Sequence, residues 1–429
     1  MNPLQTSTGY IVKWFIVAVL VGILGGLSAL LLNTAIDLFY FIRERYIHYL
    51  LGPVIAGIFL GFVFHKIDIS TKSFGTNVFI NSVNRLNGAI KGRTSLFKLF
   101  SSSLNLGFGA SGGIEGPMVL IGGSMSNFLL RRIKPIAKYF SNEDMRIGTI
   151  CGAAGAVGAV FRSPLGGGIF VVELLYKSAL HYNELFPAIL SSAIGYVTYS
   201  LVLDTDPLFT IPSYNMEVQY IPFIVVTAVL TGIISIFFKI VFYGSREFFE
   251  NSSIPQPLRP AVGGIFTGMT ALIAGQEVLG IGTEYVQKFI LTSMSIDIIL
   301  LLLLGKIFAT AFTIGSGGSA GKVIPALYIG ALAGSLVSSL LSFEFADSAL
   351  HYSLVVVGMT ASLSAIAGVP IASVVMIIEM LGLKMGVSAV IGAVIGYIIG
   401  NNQQFYEVTN DQSFRQVCEH FKFLDREVS

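Results

Sequence analysis

Long apolar runs separated by short polar ones dominate the chain. Stretches free of Asp, Glu, Lys and Arg cover Trp14–Ile36, Leu185–Leu203, Val218–Phe238, Val323–Phe343, Ser348–Ile378 and Met385–Tyr406. A hydrocarbon core of ~30 Å takes about 20 helical residues to cross. Each run therefore predicts a membrane helix, and together they predict an all-α polytopic membrane protein surrounded by membrane lipids. The first run is too long for a cleaved signal peptide and reads as a retained helix.

Glycine breaks this pattern. Gly107–Gly123 and Gly315–Gly334 are apolar yet crowded with glycine, which a plain spanning helix does not need. Backbone that leaves the helix at membrane depth is tolerated where it is buried in protein or lines a wet cavity. Broken or re-entrant helices are expected there, and with them the site. The competing reading is close helix packing through small residues.

The two halves also repeat. Lys98-Leu99-Phe100 through Leu106-Gly107-Phe108-Gly109 parallels Lys306-Ile307-Phe308 through Ile314-Gly315-Ser316-Gly317 at a shift of 208, which also carries Pro117 onto Pro325. Gly152, Pro164 and Glu173 land on Gly358, Pro370 and Glu379 at 206, and Gly75-Thr76-Asn77 on Gly282-Thr283-Glu284 at 207. Residues 1–210 and 211–400 are thus expected to be two membrane repeats, with 401–429 a short C-terminal segment. Duplicated halves of this kind build a transport path at their interface from half-helices. The spacing leaves open whether the repeats are parallel or inverted.

Composition narrows the chemistry. Lys and Arg number 26 and Asp and Glu 24 in 429 residues, so the charged fraction is about half that of a soluble protein and the net charge only +2. Scattered bases give no nucleic-acid footprint. Two cysteines, Cys151 and Cys418, form no disulfide framework, and without CxxC or HExxH no metal or cofactor is expected. Ionisable groups within the apolar segments are costly and so candidates for function: Lys98, Glu115, Arg162, Glu173, Lys306, Lys322 and Glu379. Glu115, in Gly113-Ile114-Glu115-Gly116-Pro117, opens the apolar run Met118–Ile121. Free backbone N–H groups at a helix start attract anions. A carboxylate there occupies an anion site itself, and protonation releases the site to a diffusible anion. The plain alternative is an N-terminal capping glutamate.

These residues resemble the CLC family of chloride channels and chloride/proton exchangers, from the first helix to about Tyr406. Gly113–Pro117 with Met118-Val119-Leu120-Ile121-Gly122-Gly123 is similar to the family's GxEGP motif, and Lys98, seventeen residues upstream, to a family lysine. Gly317–Pro325 resembles the GxFxP block, Pro164 through Glu173 the helix of the inner glutamate, and Phe405-Tyr406-Glu407 the segment of the anion-coordinating tyrosine. The resemblance implies an inverted repeat of broken and re-entrant helices, a homodimer with a pore in each subunit, and chloride as the transported ion. Glu115 would be gate and proton acceptor. The anion would be held by Gly75, Thr76, Asn77, Gly113, Ile114, Gly116, Lys322, Val323, Ile324 and Tyr406.

Three positions depart from the family pattern. The GSGIP loop is Gly75-Thr76-Asn77-Val78-Phe79, with Thr76 at the serine position. A hydroxyl donor survives, and the GxN form resembles the fluoride-exporting branch, so a fluoride/proton exchanger is the alternative. Leu174 stands where proton-coupled members keep an inner glutamate, and Glu173 matches only its neighbour. Leucine carries no proton, which favours a passive channel or weakly coupled exchanger, although fluoride-exporting relatives manage without that glutamate. Lys322 replaces an apolar residue. A fixed ammonium at a helix start adds Coulomb attraction for an anion or pairs with Glu115, shifting opening toward more acid pH; the alternative is snorkelling toward an interface.

Other classes fit less well. An intramembrane enzyme could draw on Ser111, Ser319 and Glu115, yet no His lies in the glycine-rich breaks. A scaffold or receptor would pair charges such as Glu173 with Arg162 and has no use for repeated breaks. About 29 residues follow Gly400, too few for paired regulatory domains, so no nucleotide regulation is expected. Short charged loops and this size suit a prokaryotic inner (plasma) membrane.

Overall fold

The computed structural model describes residues 7–66, 75–132, 140–176, 181–203, 206–212, 217–341 and 348–401. Tyr406, together with the segment 401–429 beyond its first residue, lies outside them. Among the described residues the first half carries α1 (Ser7–Tyr46), α2 (Gly52–Lys66), α3 (Gly75–Arg85), α4 (Gly92–Gly107), α5 (Glu115–Arg132), α6 (Asn142–Val160), α7 (Pro164–Tyr176) and α8 (Tyr182–Ser200). The second half carries α9 (Ile221–Asn251), α10 (Arg259–Ala274), α11 (Thr283–Leu291), α12 (Ile296–Gly315), α13 (Val323–Leu341), α14 (Ser348–Ala367), α15 (Pro370–Leu381) and α16 (Gly386–Gly400). Among the described residues six helices are long and apolar enough to cross a membrane, and α8, which holds most of the run Leu185–Leu203, is not one of them. One of the six, Ile296–Gly315, is not a charge-free run, because it carries Asp297 and Lys306.

Apolar side chains point both ways, as a lipid surround requires. On α9, Val226, Val229, Leu230, Ile233, Phe237 and Ile240 are exposed, while the buried face is built from small residues such as Thr227, Ala228, Thr231, Gly232 and Ser235. Small residues let helices approach closely where lipid is as apolar as leucine. The middle of the molecule is α5, α6, α13 and α14, almost wholly buried.

Helix ends follow the same local rules in both halves. α4 and α12 stop at left-handed glycines, Gly109 (φ 93°) and Gly317 (φ 102°), which no side chain adopts cheaply. Beyond them Ala110 N–H donates to Asn105 O at 3.0 Å and Gly318 N–H to Thr313 O at 2.9 Å, so the same turn recurs 208 residues later. The chain then runs extended and restarts as α5 and α13, with Pro117 and Pro325 in first turns where a missing N–H costs nothing. The non-helical segments are therefore 108–114 and 316–322, shorter than the glycine content suggested. Glycines inside the helices serve close packing, as at Gly122, where a Cβ would overlap Gly152 O, and at Gly330, where one would overlap Gly358 O. Ser348–Ile378 is two helices rather than one span. It breaks at Gly368 (φ 72°) before Pro370, and Arg162 (φ 51°) makes the corresponding turn in the first half.

The repeats are related by a local two-fold axis. Gly113 N–H donates to Gly321 O at 2.7 Å and Gly321 N–H to Gly113 O at 2.6 Å, an isolated antiparallel bridge between residues 208 apart. Reciprocal contact between equivalent residues is the mark of a two-fold axis. A second reciprocal pair confirms it. Glu173 accepts from Ile371 N–H at 3.0 Å and Ala372 N–H at 2.7 Å, while Glu379 accepts from Leu165 N–H at 3.0 Å and Gly166 N–H at 2.8 Å. Each repeat's carboxylate thus caps the other repeat's helix start, satisfying donors that have no partner inside their own helix.

Candidate functional site

The bridge brings two helix starts together, and a third joins them. A Cβ built on Gly116 would lie 3.3 Å from Thr76 Oγ1, 3.4 Å from Gly321 Cα and 3.5 Å from Ala320 O. A Cβ on Gly75 would overlap Gly116 O. The starts of α3, α5 and α13 therefore converge at the meeting point of the repeats, and the approach of the backbones demands glycine at 75. Gly75, Thr76, Asn77, Gly113, Ile114, Gly116, Val323 and Ile324 are all buried there. Converging helix starts concentrate unpaired N–H groups and the positive ends of three dipoles, an environment suited to an anion.

Glu115 supplies one. It is 1% exposed, and its carboxylate reaches across the bridge to the start of α13, where Oε1 accepts from Lys322 N–H and the Val323 N–H also faces it. Oε2 is buried without a hydrogen-bond partner. A Cβ at either Gly113 or Gly321 would overlap this carboxylate. Glu115 is therefore more than a cap of its own helix, because its carboxyl group occupies the N-terminus of the other repeat's helix.

Lys322, 1% exposed, does not extend to a solvent edge; its ammonium lies 4.5 Å from the ring centroid of Phe242 on α9. Its electrostatic neighbours are Glu115, Arg246 and Lys239. Lys239 donates to Gly400 O at 2.8 Å and thereby closes the C-terminus of α16. Nothing in the sequence pointed to Phe242, whose contact with Lys322 spans 80 residues.

The other singled-out charges have structural partners. Lys306 Nζ donates to the carbonyls of Val278 (3.2 Å), Gly280 (3.1 Å) and Ile281 (3.4 Å), and lies 4.8 Å from the Tyr328 ring centroid, so it organises the loop before α11. Lys98, its repeat mate on α4, is fully buried. Arg162 donates to Asp206 O at 2.6 Å, so it makes no pair with Glu173, whose oxygens are taken by α15. Leu174 is 2% exposed and apolar. Ser111 exchanges a hydrogen bond with Thr310 (3.0 Å), and Ser319 with Ser102 (2.8 Å), hydroxyl to hydroxyl without a base. Asn81 was overlooked in the sequence, although its place one turn after Asn77 was a readable signal.

The chain is similar to known proteins over most of its length. Residues 56–401 match the family described as voltage gated chloride channel. An uncharacterized protein of Methanocaldococcus jannaschii is 31% identical over 387 residues, 88% of this chain and 91% of that one. A voltage-gated ClC-type chloride channel, ClcB, of Escherichia coli is 29% identical over 291 residues, 67% of this chain and 68% of that one. Among solved structures, a CLC-type fluoride/proton antiporter superposes with a TM-score of 0.80 at 20% identity, covering 94% of this chain and 99% of the other. At that identity the likeness speaks for the fold alone.

Proposed function

The chain belongs to the CLC family of voltage-gated chloride channel proteins and is an integral-membrane anion transporter of CLC type, and on that premise we propose that it moves chloride through the convergence of α3, α5 and α13, gated by Glu115. The observation that carries this reading is the Glu115 carboxylate seated on the start of α13, where its charge stands in for the anion. Protonation removes that charge, frees the Lys322 and Val323 N–H groups, and vacates the position for a diffusible anion. Thr76 supplies a hydroxyl donor and Lys322 a nearby fixed cation, while Tyr406 is the expected partner from outside the described residues. With Glu173 committed to α15 and Leu174 apolar, an inner carboxylate relay has no carrier at these positions, which favours passive or weakly coupled flux.

Fluoride/proton exchange is the second reading. It is favoured by the Gly75-Thr76-Asn77 loop and by the fold-level likeness to a fluoride/proton antiporter. Small, strongly hydrated fluoride demands short hydrogen bonds from donors such as Thr76 and Asn77, whereas a hydroxyl there also serves chloride. We place the repeats at 1–210 and 211–400, infer a homodimer in a prokaryotic inner membrane, and assign no cofactor and no enzymatic step. Proteoliposomes loaded with chloride or fluoride, with anion efflux and proton uptake recorded together, test the substrate. Chloride efflux without proton movement is expected. Fluoride efflux far exceeding chloride, with stoichiometric proton uptake, would reverse the order.

A further inference from the structure

α3 does more than deliver Thr76 to the site. At 100° per residue, Asn77, Asn81 and Asn84 fall within about 60° of one another on the helix surface, while Phe79 and Val83 point into the core on the other side. The stripe runs from the buried start of the helix, beside the convergence, to an exposed last turn where Asn84 and Arg85 meet the outside. Asn77 is 6% and Asn81 3% exposed, and the carboxamide oxygens of both are buried without a hydrogen-bond partner.

Leaving a buried polar group unpaired costs about 1–3 kcal/mol, so such groups are rare unless water or a ligand completes them. Two of them one helical turn apart, about 6 Å along the axis, on a stripe that joins the surface to a site, describe a path rather than a packing fault. Its polarity is readable. α3, Gly-Thr-Asn-Val-Phe-Ile-Asn-Ser-Val-Asn-Arg, holds no acidic residue, and its charged residue is Arg85 at the outer end. Carbonyl oxygens alone would also suit a cation, but the positive N-terminal end of α3 and Arg85 disfavour one, and a carboxamide offers two N–H donors to an anion and one oxygen to a water of its hydration shell. We propose that Asn77, Asn81 and Asn84 form a carboxamide track along α3, and that Asn81 is an anion-binding position one turn outside the convergence. A small, partly hydrated anion there exchanges shell water for side-chain N–H while its remaining water satisfies the carboxamide oxygens. This inference rests on the anion transport proposed above.

The test compares wild type, Asn81→Leu and Asn81→Ser in proteoliposomes with chloride and with fluoride, alongside thermal unfolding in detergent. Asn81→Leu keeps the size, removes both donors and relieves a buried unpaired oxygen. It should unfold no earlier than wild type, yet carry anion about tenfold more slowly with a correspondingly raised half-saturating concentration, as expected for a lost hydrogen bond to an ion. Asn81→Ser, which retains a donor, should fall between. Because Asn84 is exposed, Asn84→Cys in a Cys418→Ser background provides a variant without a folding risk. An anionic methanethiosulfonate should suppress its flux several-fold and a neutral one of similar size should do so less. Wild-type flux and affinity in Asn81→Leu, or flux through Asn84→Cys indifferent to the reagent's charge, would overturn the track. A wild-type protein that moves neither anion would instead overturn the transport reading.

Discussion

Removing Glu173 separates a clamp between the repeats from a step on a proton path. Its carboxylate accepts from Ile371 N–H at 3.0 Å and from Ala372 N–H at 2.7 Å, both in the first turn of α15. Glu173→Ala leaves the two donors without their acceptor. Each unsatisfied donor costs about 1–3 kcal/mol, the lower end applying to the more accessible Ile371, so a loss of about 2–4 kcal/mol is expected. Glu173→Gln keeps the shape and one oxygen acceptor but forfeits one bond and the charge at a helix N-terminus, for about 1–2 kcal/mol. The mirror change, Glu379→Ala, removes acceptors for Leu165, Gly166 and Ser163, but this carboxylate is more exposed, so the loss should be smaller despite the extra partner. Both caps join α7 to α15, and the double substitution should cost less than the sum of the singles because the first already loosens the shared contact. Unfolding free energies from denaturing-detergent titration, with flux in liposomes measured in parallel, read both sides of the argument. Glu173→Gln should lose stability and keep its anion and proton behaviour. A Glu173→Gln protein that unfolds like wild type but departs from it in anion flux or in the pH dependence of that flux would refute the clamp and place the carboxylate on the transport path.

Three further outcomes follow from the site. Glu115→Gln should conduct anions without pH dependence, and unchanged pH dependence would reduce Glu115 to a helix cap. Gly321→Ala should have a related effect with the glutamate still present, because the new Cβ overlaps the Glu115 carboxylate and drives it off the start of α13; flux that stays low at neutral pH in this variant would show that the carboxylate does not block the path. Lys322→Met keeps an apolar stem against Phe242 and removes the ammonium, so apparent anion affinity should fall several-fold and flux should activate at less acid pH; wild-type affinity and pH response would leave the lysine with packing alone.

Much of this protein was determined by its sequence. Apolar runs of spanning length fixed the class because lipid tolerates little else, and the recurrence of Lys98, Gly109, Pro117 and Pro164 at Lys306, Gly317, Pro325 and Pro370 exposed the duplication. Glycine before Glu115 and before Val323 marked the breaks, since local backbone demands are written in local residues. What a glycine does was not decided there. Gly113 makes room for a bridge and a carboxylate, while Gly122 makes room for a neighbouring helix, and only the facing chain distinguishes them. Partners across the two-fold were equally hidden. Glu173 on α15, Glu379 on α7 and Glu115 on α13 each reach about 200 residues along the chain, and Lys322 found Phe242 on a helix with no shared motif. Periodicity and spacing record what one segment needs in order to fold. Which helix start a carboxylate meets depends on the two-fold operation that sets one repeat against the other, and that operation exists only in the assembled structure.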